Sequence, residues 1–316
     1  MNAARYRLSL VLLLCCLSTA VHAITLVYNL KFRRAFDTRH YDVSLQKKNH
    51  YIVSVLPIVN KASRHVVDPQ QGVDVCNSTL LGGSILNIKY FHTPSWWVEM
   101  TTAVAQEKLQ DRGTHVAQES RTGLDDIVFT GGYNFYPNKR LQIVLYGLGG
   151  IPIQKAVTPA QQYAFLVGSR FYSLGLGSEF SYAFLQSKER SIVGIVQNRF
   201  IHFFSRNLVP ILPPTATINP GNLTDILVAV QFRKKMTFLQ VGYDLTIFTD
   251  QSITNNALRQ GSPNIYRNSF YCFLNHVVQR SLKHTPLIVG VGSSYAFANQ
   301  SAIKNFAAWL NVTAIF

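Results

Sequence analysis

The chain has 316 residues, 30 of them basic and 15 acidic, for a formal charge of +15; 47% of it is hydrophobic and only 14% charged. So little charge falls well short of the quarter or so that covers a typical soluble domain. Beyond the first 23 residues no apolar run reaches the roughly 18 residues of a spanning helix, which excludes a helical membrane bundle.

Residues 1–23 read as an export signal. Arg5 and Arg7 give a basic start, residues 8–17 an apolar core, and Val21-His22-Ala23 a cut site ending in a small residue. The core is too short for an anchor that spans a bilayer. Leu14 and Cys15 stand where a lipidation site at Cys15 or Cys16 would need a small residue. Removing the signal leaves 28 basic and 15 acidic side chains, a balance of +13. Such a basic chain invites a nucleic-acid reading, but an exported one argues against it. The positive balance instead suits anionic lipid headgroups, and would draw anionic solutes toward a pore mouth.

Residues 24–49 carry much of that charge: Lys31, Arg33, Arg34, Arg39, Lys47 and Lys48 against Asp37 and Asp42. Leu26, Tyr28 and Leu30 alternate there, which argues against full disorder and suggests a strand.

From residue 50 onward a period of two, the signature of a strand, recurs twelve times: 50–59, 80–91, 95–106, 124–136, 139–151, 174–186, 191–204, 222–233, 236–249, 266–280, 285–298 and 302–316. Most of these are long enough to cross a bilayer when tilted. Short connections (92–94, 137–138, 187–190, 234–235 and 281–284) fall on one side. Long ones (60–79, 107–123, 152–173, 205–221 and 250–265) fall on the other, where only 299–301 is short. The pattern predicts an all-β fold: residues 50–316 form a single transmembrane antiparallel up-and-down β-barrel of twelve strands. Fourteen is the alternative, because residues 24–36 and the apolar stretch 161–170 also resemble strands.

Alternation separates two faces. Leu176, Phe180, Tyr182 and Phe184 suit lipid, as do Leu239, Val241, Tyr243, Leu245 and Ile247, Ile226, Val228, Val230 and Phe232, and Trp96, Val98 and Met100. Tyr51, Tyr90, Trp96, Tyr133, Tyr136, Tyr266 and Tyr295 stand near strand ends, where interfacial girdles form. The opposite face carries Lys89, Glu99, Gln142, Glu179, Gln197, Arg199, Gln231, Gln240, Asp244 and Asn311, with Asn87, as candidates to line the interior. These groups either pair across the lumen and close it, or line water and tune selectivity. Glycines on the strands permit curvature or make room for inward aromatics. Cys76 and Cys272 survive signal cleavage, and both pairing and separate burial are open to them.

In the last strand Phe306, Ala308, Leu310, Val312, Ala314 and Phe316 share one apolar face. A terminal strand closing on Leu310, Val312, Ala314 and Phe316 resembles the carboxy-terminal recognition signal of bacterial outer-membrane β-barrels. The resemblance implies residence in the outer membrane of a Gram-negative cell after signal cleavage. It also implies insertion by the barrel assembly machinery, and contact with outer-membrane lipids and lipopolysaccharide. The short turns would then face the periplasm and the long loops the outside. Residues 24–49 would be a periplasmic segment or a plug entering the barrel. The resemblance leaves substrate and oligomeric state open.

The function expected is a porin-like channel passing small, anionic solutes. The alternatives are a closed barrel that binds or adheres through its outer loops, and an outer-membrane enzyme. Phospholipase barrels use a His-x-Ser pair, because the nucleophile needs a base within hydrogen-bond reach; His202, His276 and His284 lack a Ser two positions on. Asp125, Asp126 and Asp250 lie near outer ends, as in protease barrels, but adjacent acids are ordinary loop chemistry. No metal-binding spacing appears, and Gly147–Gly150 and Gly290–Gly292 open no βαβ unit, so no cofactor is implied.

Overall fold

The computed structural model describes Tyr28, Arg34 and residues 49–68, 73–111, 119–153, 171–207, 217–249, 252–255, 258–261, 264–278, 286–298 and 304–316. The signal, residues 161–170, and the connections 281–284 and 299–301 lie outside the described residues, as does all of 24–49 except Tyr28, Arg34 and Asn49.

The strands in chain order are β1 (His50–Asp68), β2 (Val73–Phe91), β3 (Trp96–Asp111), β4 (Glu119–Leu124), β5 (Ile127–Phe135), β6 (Leu141–Ile151), β7 (Ser173–Gln186), β8 (Arg190–Phe203), β9 (Arg206–Asn207), β10 (Thr217–Asn219), β11 (Asn222–Lys234), β12 (Thr237–Thr249), β13 (Ser252–Asn255), β14 (Leu258–Gly261), β15 (Ile265–Val278), β16 (Leu287–Ala298) and β17 (Lys304–Ile315). In the main sheet each strand pairs antiparallel with its neighbour in the wall, and β1 also pairs with β17, from Ile52 opposite Ile315 to Ser63 opposite Lys304. The sheet is therefore a closed barrel, which leaves no main-chain edge unpaired around the wall.

β4 and β5 are two halves of one wall strand, since both pair with β3. Thr101 faces Val128, but Val104 faces Leu124, so the register slips by one residue between them. The extra residue is absorbed at Asp125-Asp126, both buried, as a β-bulge that sends two successive side chains the same way. With that strand counted once the wall has twelve strands, and the fourteen-strand alternative is set aside. Residues 60–79, predicted as a loop, are instead mostly strand: β1 and β2 stay paired without a break from His50–Phe91 to Asp68–Val73. At the same end, the connections 205–221 and 250–265 contribute β9, β10, β13 and β14, which pair into a separate four-stranded sheet.

Burial alternates along the wall strands, as on β8 and β11. The outward set predicted from sequence is the more exposed one, with Leu176 at 72% and Phe180 at 47%, while Met100, Tyr243, Leu245 and Ile247 are half-buried. Tyr51, Trp96 and Tyr133 ring the short-turn end on the outside, Tyr136 stands at that end with its hydroxyl beside the inward-facing Gln142, and Tyr266 and Tyr295 stand at the loop end. Tyr90 packs against Tyr51 at 4.7 Å between ring centroids, the rings tilted by 32°. Cys272 is an exposed free thiol on this outer face, so it forms no bridge to Cys76.

Inside, large side chains lie over glycines of the neighbouring strand. Trp97 faces Gly132, Tyr146 faces Gly177, Tyr271 faces Gly242 and Trp309 faces Gly292 as direct cross-strand pairs. At each of these glycines a Cβ would overlap the facing ring. The rings lie flat across the wall because the position opposite has no side chain.

Candidate functional site

The candidate site is the barrel lumen. All ten interior candidates from the sequence are on the inward face, none more than 8% exposed. They do not converge on one centre; they are spread in depth, each with partners on nearby strands.

Near the short-turn end, Lys89 and Glu99 face each other across β2 and β3, with Nζ to Oε2 at 3.5 Å. The Lys89 ammonium also lies 3.9 Å from the Trp97 ring centroid and 5.2 Å from that of Phe91. Those aromatic faces offset part of the cost of removing the charge from water. Asn87 donates to Thr101 at 2.8 Å, and the Trp97 indole to Asn134 at 3.1 Å. Gln142 donates to Tyr136 at 3.4 Å. Across the β1–β17 seam, Thr313 Oγ1 is 2.7 Å from Ser54 Oγ and 3.1 Å from Asn311 Oδ1.

At mid-depth, Gln197 donates to the Tyr146 hydroxyl at 2.9 Å and Gln240 to that of Tyr271 at 2.8 Å. Glu179 accepts the Ser181 hydroxyl on Oε1 at 2.9 Å. Its Oε2 accepts Nη1 of Arg34 at 2.8 Å, and both side chains of that ion pair are buried.

Toward the loop end, Arg199 faces Asp225 across β8 and β11 and donates to it through Nε at 3.2 Å and through Nη2. The same Nη2 donates to the main-chain carbonyl of Tyr28. The Tyr28 hydroxyl is 3.0 Å from Ser173 Oγ, and its ring meets Phe203 edge-on at 5.4 Å. A Cβ at Gly150, which faces Ser173 across β6 and β7, would overlap the Tyr28 hydroxyl.

Tyr28 and Arg34 have helical backbone and are 1% and 2% exposed. Tyr28 lies beside Gly150, Ser173 and Phe203, at the loop ends of β6, β7 and β8. Arg34 lies halfway down β7 at Glu179, and His50 begins β1 at the short-turn end, opposite Phe91. Tyr28, Arg34 and His50 thus stand at successively lower levels of the barrel. The strand suggested by the spacing of Leu26, Tyr28 and Leu30 is not formed at Tyr28.

Sequence reasoning missed Asp225, Tyr146 and Tyr271. Asp225 shares the parity of Leu227 and Gln231, and that signal could have placed it inward. The buried charges among the described residues have a sign of their own: Arg34, Lys89, Arg199 and Arg267 stand against Glu99, Asp125, Asp126, Glu179, Asp225 and Asp244. The interior leans acidic in a chain that is +15.

No protein-family model and no curated protein matches the sequence. The fold does have counterparts among solved structures. An outer membrane channel from Pseudomonas putida F1 superposes with a TM-score of 0.62 at 13% identity, over 85% of this chain and 96% of that one. The fold is that of a bacterial outer-membrane β-barrel. Looser likenesses, with TM-scores of 0.45 and 0.47, reach the autotransporter translocator domain of NalP from Neisseria meningitidis (9% identity, 94% of this chain and 96% of that one) and the transport unit of AIDA-I from Escherichia coli (9%, 90% and 96%).

Proposed function

We propose that this barrel is an outer-membrane channel for the passive passage of small solutes, with no catalytic step, and that residues 24–49 are its occluding element. On this reading the exported chain is inserted by the barrel assembly machinery. It sits among outer-membrane lipids and lipopolysaccharide, with its short turns in the periplasm. The observation that carries the proposal is how Tyr28 and Arg34 are held. Both are inside the wall, yet the contacts described for them are side-chain hydrogen bonds, an ion pair and one main-chain carbonyl accepting from Arg199. A wall strand is fixed by a ladder of main-chain bonds and cannot leave without opening the barrel. Tyr28 and Arg34 have helical backbone and are not part of that ladder.

Among the described residues, buried carboxylates outnumber buried cations, which gives little support to the anionic solutes expected from net charge. Cationic and neutral solutes fit the interior better. The test is single-channel conductance in planar bilayers, comparing the mature chain with a variant lacking residues 24–49. Larger and longer-lived open steps in the deletion are expected; equal conductance in the two proteins overturns the occluding role, and silence in both overturns the channel.

A second reading, surface binding, is favoured by the four-stranded sheet at the loop end, which ties two connections together. It predicts that exchanging residues 205–221 and 250–265 abolishes attachment to the surface partner and leaves conductance unchanged.

A further inference from the structure

The cations of the short-turn end are not balanced within the fold. Three turns follow one another along the rim, because β6 pairs with β7 and β8 with β11. They are residues 136–140 between β5 and β6, 187–189 between β7 and β8, and 235–236 between β11 and β12. With the strand ends beside them they carry Lys139, Arg140, Lys188, Arg190, Lys234 and Lys235, all exposed, against the single acid Glu189. None of the six cations makes an ion pair with a described residue. The main chain beneath them is fixed by other groups. Asn138 Oδ1 accepts from the main-chain N–H of Arg140 at 2.8 Å and of Leu141 at 2.9 Å, and the Ser187 hydroxyl accepts from that of Arg190 at 3.0 Å. Lys235 takes a φ of 54°, the left-handed region that favours glycine or asparagine. The backbone is thus set, and the charged side chains are turned to the surroundings.

Beside each basic turn stands an exposed apolar side chain: Phe135 at the first, Phe184 and Leu185 at the second, Phe232 and Met236 at the third. Strand residues alternate between faces, yet Phe184 and Leu185 are consecutive and both exposed, because the β7–β8 register shifts between Ala183 and Leu185. A free anion or an acidic protein would need only the cations. Cations set just beyond a belt of apolar side chains fit a molecule with a charged head and a hydrocarbon tail.

We propose that this arc of the rim, from β5 to β12, is a binding surface for anionic phospholipid. Phosphate groups of the leaflet that meets the short turns pair with the cations, and the acyl chains lie along Phe135, Phe184 and Phe232. The capture is one-sided: residues 92–95, the turn between β2 and β3, carry no lysine or arginine. It does not depend on an open lumen, so it stands or falls apart from the channel reading.

The test takes the mature chain refolded in detergent, with each variant checked for a folded barrel by heat-modifiable mobility on a gel. Equal amounts of dioleoyl phosphatidylglycerol and dioleoyl phosphatidylcholine are added, and native mass spectrometry counts the lipids retained. Phosphatidylglycerol is expected to be retained in preference. Lys188→Gln should weaken that preference about fivefold, the contribution of one cation near a lipid surface. The triple variant Lys188→Gln/Lys234→Gln/Lys235→Asn, in which asparagine keeps the left-handed turn, should weaken it about a hundredfold. Lys61→Gln removes an exposed cation on β1, toward the loop end, and should leave it unchanged. Equal retention of the two lipids by the unaltered chain overturns the proposal, and an equal loss from Lys61→Gln overturns its placement at this rim. Glycerol 3-phosphate, which has the phosphate without the chains, should not compete at the same concentration. Competition by it would mark a site for free anions and overturn the lipid assignment.

Discussion

Trp97 lies flat across the wall because residue 132 is glycine, and its indole is held by Asn134 at 3.1 Å. A methyl group at 132 has no space, since the ring carbons already occupy it. Overpacking of this kind costs about 1–3 kcal/mol. Gly132→Ala is therefore expected to lower barrel stability by that amount in urea unfolding from lipid vesicles. Gly131, one residue away, has nothing within 4 Å of a built Cβ, so Gly131→Ala should stay within about 0.5 kcal/mol of wild type. An equal loss at both positions would mean that strand propensity, rather than the indole, governs these sites. The same pairing of ring and glycine recurs at Tyr146–Gly177, Tyr271–Gly242 and Trp309–Gly292, so the glycines are the complement of the luminal aromatics.

At the scale of the strands, register is set by the two environments of the wall. Val228 is central on β11, opposite Val196 and Tyr243, and faces outward at 48% exposure. An arginine on the lipid face at mid-depth costs about 2–4 kcal/mol; Val228→Arg should show that loss in equilibrium unfolding from vesicles, and a neutral result would place β11 outside the hydrocarbon. This two-environment rule is why the twelve strands were legible in the sequence: where one side meets lipid and the other a packed lumen, side chains must alternate. It also explains what was not legible. Beyond Asn60 the β1–β2 hairpin runs through Lys61, Ala62, Ser63, Arg64 and His65, where the sequence no longer alternates and the strand read as a loop. β9, β10, β13 and β14 are two to four residues each, too short for any period to register. The luminal residues were found because parity finds faces. Their partners were not, because Arg34–Glu179 spans 145 positions and Arg199–Tyr28 spans 171, and parity carries no information about which strands face each other across a lumen.

For the molecule as a whole, the question is which charges a permeating ion would feel. The net charge of +15 is not distributed through the wall. Exposed cations gather at three consecutive short turns: Lys139 and Arg140 before β6, Lys188 and Arg190 at the β7–β8 turn, where Arg190 opens β8, and Lys234 and Lys235 at the β11–β12 turn, where Lys234 closes β11. The last two of these turns are tied together, with Lys235 N donating to the Glu189 carbonyl at 2.6 Å and Arg233 to the Ser187 carbonyl at 2.9 Å. Charges in water at such a rim are screened over about 8 Å at physiological ionic strength, whereas buried charges are screened much less. Removing residues 24–49 also removes Arg34, leaving, among the described residues, Lys89, Arg199 and Arg267 against six buried carboxylates. The deletion channel should therefore prefer cations. Because the rim is screened first, that preference should persist as salt rises from about 0.1 to 1 M, where the Debye length falls from about 10 to 3 Å. The reversal potential under a potassium chloride gradient measures it directly. An anion preference at low salt that fades at high salt would instead assign selectivity to the basic rim, and the net charge of the chain would then be the better guide to its solutes.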